Sequence, residues 1–179
     1  ILHRTVKRLT EDKKLNIVLF GDSISVGANA SGMTVANPFQ PIFGDLFAEK
    51  LRRTYGASVT LSNPSKGGED SVWGMKMLDE EVISRNPDLV VLAFGMNGNY
   101  EPSVFESHIK DMVDRIKAAK GDTDIVLIAT STPNPILTDA RARFWSYQYL
   151  YGETLKKFES DGIALLDMGA LQRVLTATA

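Results

Sequence analysis

Three short stretches of the chain hold residue types suited to acyl-transfer chemistry. They are Gly21-Asp22-Ser23-Ile24-Ser25, Asn63-Pro64-Ser65-Lys66-Gly67-Gly68-Glu69-Asp70 and Gly95-Met96-Asn97-Gly98-Asn99. A serine hydroxyl attacks an acyl carbon once a base takes its proton. The attacked carbonyl becomes an oxyanion, which is stabilised by donors already aimed at it. A glycine lets its backbone N–H approach a substrate with no Cβ in the way. An asparagine amide offers an N–H donor that does not ionise. Ser23, the pair Gly67-Gly68 and an asparagine of the third stretch are thus a nucleophile with candidate oxyanion donors, provided the fold brings them together.

The surrounding pattern says that it does. Five strand-like runs occur at residues 15–20, 57–62, 88–94, 124–130 and 163–167, the second alternating and the others largely apolar. Continuous apolar runs bounded by glycine fit parallel strands covered on both faces. Helical stripes separate them: Phe43, Leu46, Phe47 and Leu51; Val72, Met75, Leu78 and Val82 behind Asp70 or Ser71 as N-cap; and Phe105, Ile109, Met112, Val113 and Ile116. Residues 138–160 read as the longest helical stretch, rich in aromatics that include Trp145, Tyr147, Tyr149 and Tyr151. Strands alternating with helices predict a parallel sheet with right-handed crossovers. The expected fold is α/β, a three-layer α/β/α sandwich around a five-stranded parallel sheet of flavodoxin-like order. Each of the three chemical stretches follows one of the first three strands, so all open at the same carboxyl edge, where ligands bind in such sheets.

Composition narrows the partners. The chain has 179 residues, 44% hydrophobic and 23% charged, with a net charge of -2, as suits one domain with a full core. That charge gives no electrostatic case for nucleic acid or an anionic membrane. No apolar run approaches the roughly 20 residues that cross a bilayer. There is no cysteine, so disulfides and thiolate metal sites are excluded, and a secreted or periplasmic location is compatible. Residues 1–14 are mixed and basic and read as a leader or linker helix ahead of a domain at 15–179. The chain starts at Ile1 rather than Met, as expected of a processed form or a fragment. Two histidines occur, His3 in the leader and His108 at the border of a helix's apolar face; both read as structural. Gly-x-x-x-x-Gly-Lys-Ser/Thr and Gly-x-Gly-x-x-Gly are absent, which leaves mononucleotide and dinucleotide binding without support. The loop Ser131-Thr132-Pro133-Asn134-Pro135 follows the fourth strand, with Asn134 as a candidate substrate contact. Asp22 reads as a loop-orienting or capping residue and a second substrate contact.

In order, spacing and placement, the three stretches resemble the first three sequence blocks of the SGNH hydrolases, also called GDSL esterases and lipases. The resemblance spans nearly the whole chain. It implies Ser23 as nucleophile, an oxyanion hole of the Ser23 N–H, the Gly68 N–H and the Asn97 side chain, and no metal or organic cofactor. It also implies an ester substrate with a short acyl group, an O-acetyl carbohydrate first. Residues 1–14 resemble the junction to an upstream accessory domain, as in some two-domain carbohydrate esterases. Two departures stand out. The asparagine block of the family reads Gly-x-Asn-Asp, and here Gly98 takes the place of that hydrogen-bonding aspartate. The family's catalytic base lies in a C-terminal Asp-x-x-His segment, and residues 171–179 hold none. Asp167 closes the fifth strand and would precede such a segment, so the catalytic histidine and aspartate are expected beyond Ala179. The alternatives are a non-catalytic SGNH-like binding domain, if no such segment exists, and a phosphatase using Asp22. The second acid of the phosphatase pattern is replaced by Ile24.

Overall fold

The computed structural model describes residues 1–131 and 147–177. Five parallel strands form one sheet: β1 (Lys14–Gly21), β2 (Ser58–Ser62), β3 (Leu89–Ala93), β4 (Asp124–Ala129) and β5 (Ile163–Asp167). Their order is β2-β1-β3-β4-β5, the flavodoxin-like order expected. The register pairs Val18 with Val90 across β1 and β3, so both strands end level, Gly21 beside Ala93. From β1 the chain steps one way to β2 and then returns past β1 to β3. The connections leaving β1 and β3 therefore diverge to opposite faces, and a crevice opens between them at the carboxyl edge.

The helices are α1 (His3–Lys7), α2 (Ser23–Val26), α3 (Phe43–Tyr55), α4 (Ser71–Glu81), α5 (Pro102–Ala119), α6 (Gln148–Lys156) and α7 (Met168–Ala177). One sheet face, with Val18, Phe20, Val90 and Leu92, is buried against Leu78 of α4, Phe105, Ile109 and Met112 of α5, and Tyr151 and Leu155 of α6. Burial of each such side chain contributes about 1.5–3 kcal/mol. Of the stretch predicted as one long helix, Gln148–Lys156 is helical, and residues 132–146 lie outside the described part. The opposite face, with Leu15, Ile17, Leu19 and Val91, packs against Leu9 and Ala48.

Among the described residues, cover on that second face is partial. Helix α3 meets the sheet through Gly44, where an added Cβ would lie 2.7 Å from Leu19 Cδ2, and through buried Ala48. Phe43, Leu46, Phe47 and Leu51 do share a helix face, as the spacing predicts; Leu51 packs against this core, but the first three are 38–42% exposed. Beside it runs an apolar groove of about 340 Å³ floored by Ile17, Leu19, Val91, Val126 and Ile128.

Residues 1–14 are built into the domain. Thr5 donates from its N–H and its Oγ1 to Asp124 Oδ2, both at 2.8 Å. Arg8 pairs with Asp88 at 3.1 Å and Asp122 at 2.6 Å, and Leu9 is 2% exposed. A π-helical turn, Arg8–Asp12, joins this segment to β1. These partners sit at the amino ends of the strands, so the leader closes the edge of the sheet opposite the chemical loops.

Candidate active site

Strand β1 delivers the serine. Its buried run ends at Gly21, and Ser23 opens the single turn of α2, half-buried. Asp22 caps that turn: Oδ1 accepts from Ile24 N at 3.0 Å. Its other oxygen accepts from Met96 N at 3.1 Å, which ties the serine loop to the asparagine loop. The side chain lies in a residue only 2% exposed. Burial pushes its carboxyl above the usual carboxylate range, opposed by the two backbone N–H donors. The structure thus uses Asp22 to orient loops. Each oxygen accepts one backbone N–H, and the residue also lines a small pocket with Ile24, Ala93, Thr130 and Ser131.

The glycine loop lies against the serine: a Cβ on Gly67 would sit 3.8 Å from Ser23 Cβ. Gly68 has φ +82° with no atom within 4 Å of where a Cβ would be, so it stands exposed in the left-handed region that glycine tolerates best. The loop is anchored at both ends. Asn63 Nδ2 donates to Ser25 O at 2.8 Å, Lys66 N donates to Gly21 O at 3.1 Å, and Asp70 Oδ1 caps α4 by accepting from Val72 and Trp73. Among the described residues the N–H groups of Ser23 and Gly68 have no acceptor.

The asparagine loop is held from three directions besides Asp22. Asn97 Nδ2 donates to Glu69 O at 2.9 Å, Gln148 Nε2 donates to Gly95 O and Met96 O, each at 2.9 Å, and Tyr100 OH donates to Asp70 Oδ2 at 2.6 Å. An amide nitrogen carries two protons, so the bond to Glu69 fixes the plane of the Asn97 side chain and leaves its second N–H to give. Ser23, Gly68 and Asn97 accordingly sit on three mutually tied loops at the crevice between β1 and β3. Asn134 lies outside the described residues.

The other predicted residues fall in structural roles. His108 Nδ1 is bonded to Ser71 Oγ at 2.9 Å, and its ring meets Tyr100 edge-on at 4.9 Å. His3 contacts the chain's own terminal amine at 3.2 Å, at the far edge of the sheet. Asp167 Oδ1 caps α7 by accepting from Ala170 N at 2.8 Å. Among the described residues no bond engages the Ser23 hydroxyl, and no cluster of three or more His, Cys, Asp or Glu could hold a metal ion. No helix of the described residues is long and apolar enough to cross a membrane. Two residues that organise the site, Gln148 and Tyr100, have no signature in the sequence: one is a polar residue at the start of a helix, the other a tyrosine after a turn.

The fold and site can be set beside known proteins. A model of the GDSL-like lipase/acylhydrolase family matches residues 19–178. A two-domain esterase active on acetylated mannans has a similar structure at TM-score 0.74 and 19% identity, covering 100% of this chain and 45% of its own. The chain thus spans under half the length of that protein. A lipase from a goat rumen metagenome superposes at TM-score 0.66 and 20% identity, over 86% of this chain and 80% of its own. An SGNH-hydrolase family esterase does so at 0.60 and 18%, over 84% and 75%. At these identities the likeness is one of fold. No curated protein matches the sequence.

Proposed function

The chain belongs to the GDSL-like lipase/acylhydrolase family, and we propose that it is a serine ester hydrolase working through an acyl-enzyme at Ser23. The observation that supports this reading is that the loops bearing Ser23, Gly68 and Asn97 are tied to one another, by Asp22–Met96 and Asn97–Glu69. Ser23 Oγ attacks the ester carbonyl carbon as its proton passes to a base. The oxyanion is received by the Ser23 N–H, the Gly68 N–H and the free N–H of Asn97. Collapse expels the alcohol, which takes the proton back from the base. Water then attacks the acyl-serine by the same route and releases the acid.

The base is assigned to a histidine that follows Ala179, steered by an aspartate three residues before it. Only two histidines occur in the 179 residues, and His108 is committed to Ser71. Asn134, which follows β4 in the sequence, remains the proposed substrate contact. The substrate reading is a short acyl ester of a carbohydrate, an O-acetyl sugar first. Its support is an analogy: the two-domain esterase sharing this fold over the whole chain acts on acetylated mannans. That esterase has two domains, and by the same analogy an accessory domain is proposed, ahead of residue 1.

The test is hydrolysis of p-nitrophenyl acetate and longer acyl esters, and of acetylated mannan, by the full-length protein and by Ser23→Ala. Loss of turnover in the variant is expected; equal rates would discard Ser23 as nucleophile. A full-length protein without a histidine after Ala179 would instead leave the cradle as a binding site for acyl or carboxylate groups.

A further inference from the structure

We propose that Tyr100 is a positioning residue for the oxyanion hole, locking the asparagine loop to the glycine loop through Asp70. The inference rests on the esterase reading of the same site and adds a residue to it. Gly68 stands two residues before Asp70, and Asn97 three before Tyr100, so a bond between Asp70 and Tyr100 closes a short ring around two of the three donors. That bond, 2.6 Å from Tyr100 OH to Asp70 Oδ2, is of the short charge-assisted kind. The carboxylate serves both sides: Oδ1 fixes the start of α4, and Oδ2 fixes the asparagine loop.

The place of the phenol explains Gly98. Gly98 has φ +77°, and a Cβ there would run into the Tyr100 ring and come within 3.2 Å of Asp70 Cβ. The tyrosine ring therefore occupies the space that an aspartate after Asn97 would enter, and its hydroxyl supplies a tie across the two loops. Tyr100 is itself held firmly. Tyr151 OH donates to its carbonyl at 2.8 Å, and His108, bonded to Ser71, packs edge-on against its ring. The hydrogen bond to Asp70, with burial, pushes the phenol up to about 12, so it remains a donor throughout the neutral range.

Tyr100→Phe keeps the ring over Gly98 and removes only the tie. Because oxyanion donors act on charge present only in the transition state, loosening them lowers kcat and leaves KM unchanged. A drop in kcat of about tenfold is expected for a displacement well under 1 Å. The assay is turnover by the full-length protein per active serine, counted by titration with a p-nitrophenyl phosphonate, so that unfolded or inactive molecules do not enter. Alongside it, the Asn97 side-chain amide is followed by ¹⁵N–¹H correlation spectra in wild type and Tyr100→Phe. A shifted or broadened Asn97 amide with lowered kcat supports the proposal. An unmoved amide overturns it, whatever Ser23→Ala does. Ser23→Ala with full activity removes the esterase reading and, with it, the catalytic part of this one. Unchanged kcat per titrated site in Tyr100→Phe, with Ser23→Ala inactive, overturns the positioning role alone.

Discussion

Replacing Asn97 by alanine removes the oxyanion donor proposed above and a loop tie together, and the two losses separate by assay. The tie is one neutral bond, Nδ2 to Glu69 O at 2.9 Å, between half-buried groups. Water reaches the carbonyl once the amide is gone, so the stability lost is about 1 kcal/mol. In a domain of this length that lowers Tm by about 2–4 °C. The catalytic loss expected of the proposed role is larger, because the missing donor acts on charge that develops only during attack. It is expected at about 2.7–4 kcal/mol, or roughly 10²–10³ in kcat, with KM little changed. Asn97→Asp sets a carboxylate beside the oxyanion and should be at least as slow. Steady-state hydrolysis of p-nitrophenyl acetate by the full-length protein, with urea unfolding of the same samples, reads both quantities. A kcat within about threefold of wild type together with the expected stability loss would refute the donor role and leave Asn97 a loop tie only.

Asp22→Asn should unfold more easily by about 1–3 kcal/mol, since an amide turns one of two acceptors into a donor facing a backbone N–H. Its esterase activity should fall by no more than about tenfold, because the serine keeps its loop; abolished turnover at unchanged stability, measured on the same preparation, would give the carboxyl a direct chemical role. The Tyr100–Asp70 bond sets a pH window for stability. The phenol, raised above its unfolded value near 10, contributes fully below about pH 10, and that contribution is lost as pH climbs towards about 12. For Asp70, burial pushes the carboxyl up, but the Tyr100 hydroxyl, the Trp73 and Val72 N–H groups and nearby His108 bring it below its ordinary value. Its contribution is present above about pH 4 and lost as pH falls through the lowered value. The difference in unfolding free energy between wild type and Tyr100→Phe should therefore be flat across the neutral range and shrink at both ends; a difference constant over the whole range would refute the pairing.

The sheet was legible because parallel strands buried on both faces read as near-continuous apolar runs, as in Ile17–Phe20 and Leu89–Leu92. Its order could be reasoned from the alternation of strands with amphipathic stripes. The placing of Ser23, Gly68 and Asn97 at one edge followed from parallel topology alone, since strands that run the same way end together. What holds the loops there was less legible. A buried carboxylate such as Asp22 looks in sequence like any polar loop residue, and its two backbone partners, Ile24 and Met96, are 72 residues apart in the chain. Helix α3 exposes a different limit. The Phe43–Leu46–Phe47 stripe marks a face, but close contact with the sheet was made by Gly44 and Ala48, whose small size lets the helix backbone approach. Hydrophobic periodicity says which residues share a side and nothing about what lies opposite.

The apolar groove beside α3 makes the fold sensitive to its solvent. Val126 and Ile128 of the sheet are only half-buried there, in a trough large enough for several carbon atoms of an alkyl chain. Alcohols, short-chain detergents and fatty acids that enter it bind the folded state preferentially, and mass action then raises the melting temperature with their concentration. Each methylene withdrawn from water adds about 0.8 kcal/mol to such binding. On the proposed reading of Ser23, melting curves measured with amphiphilic esters are expected to carry two concentration dependences, one from the crevice at Ser23 and one from the back of the sheet. Additives of matched polarity but without an ester group separate them.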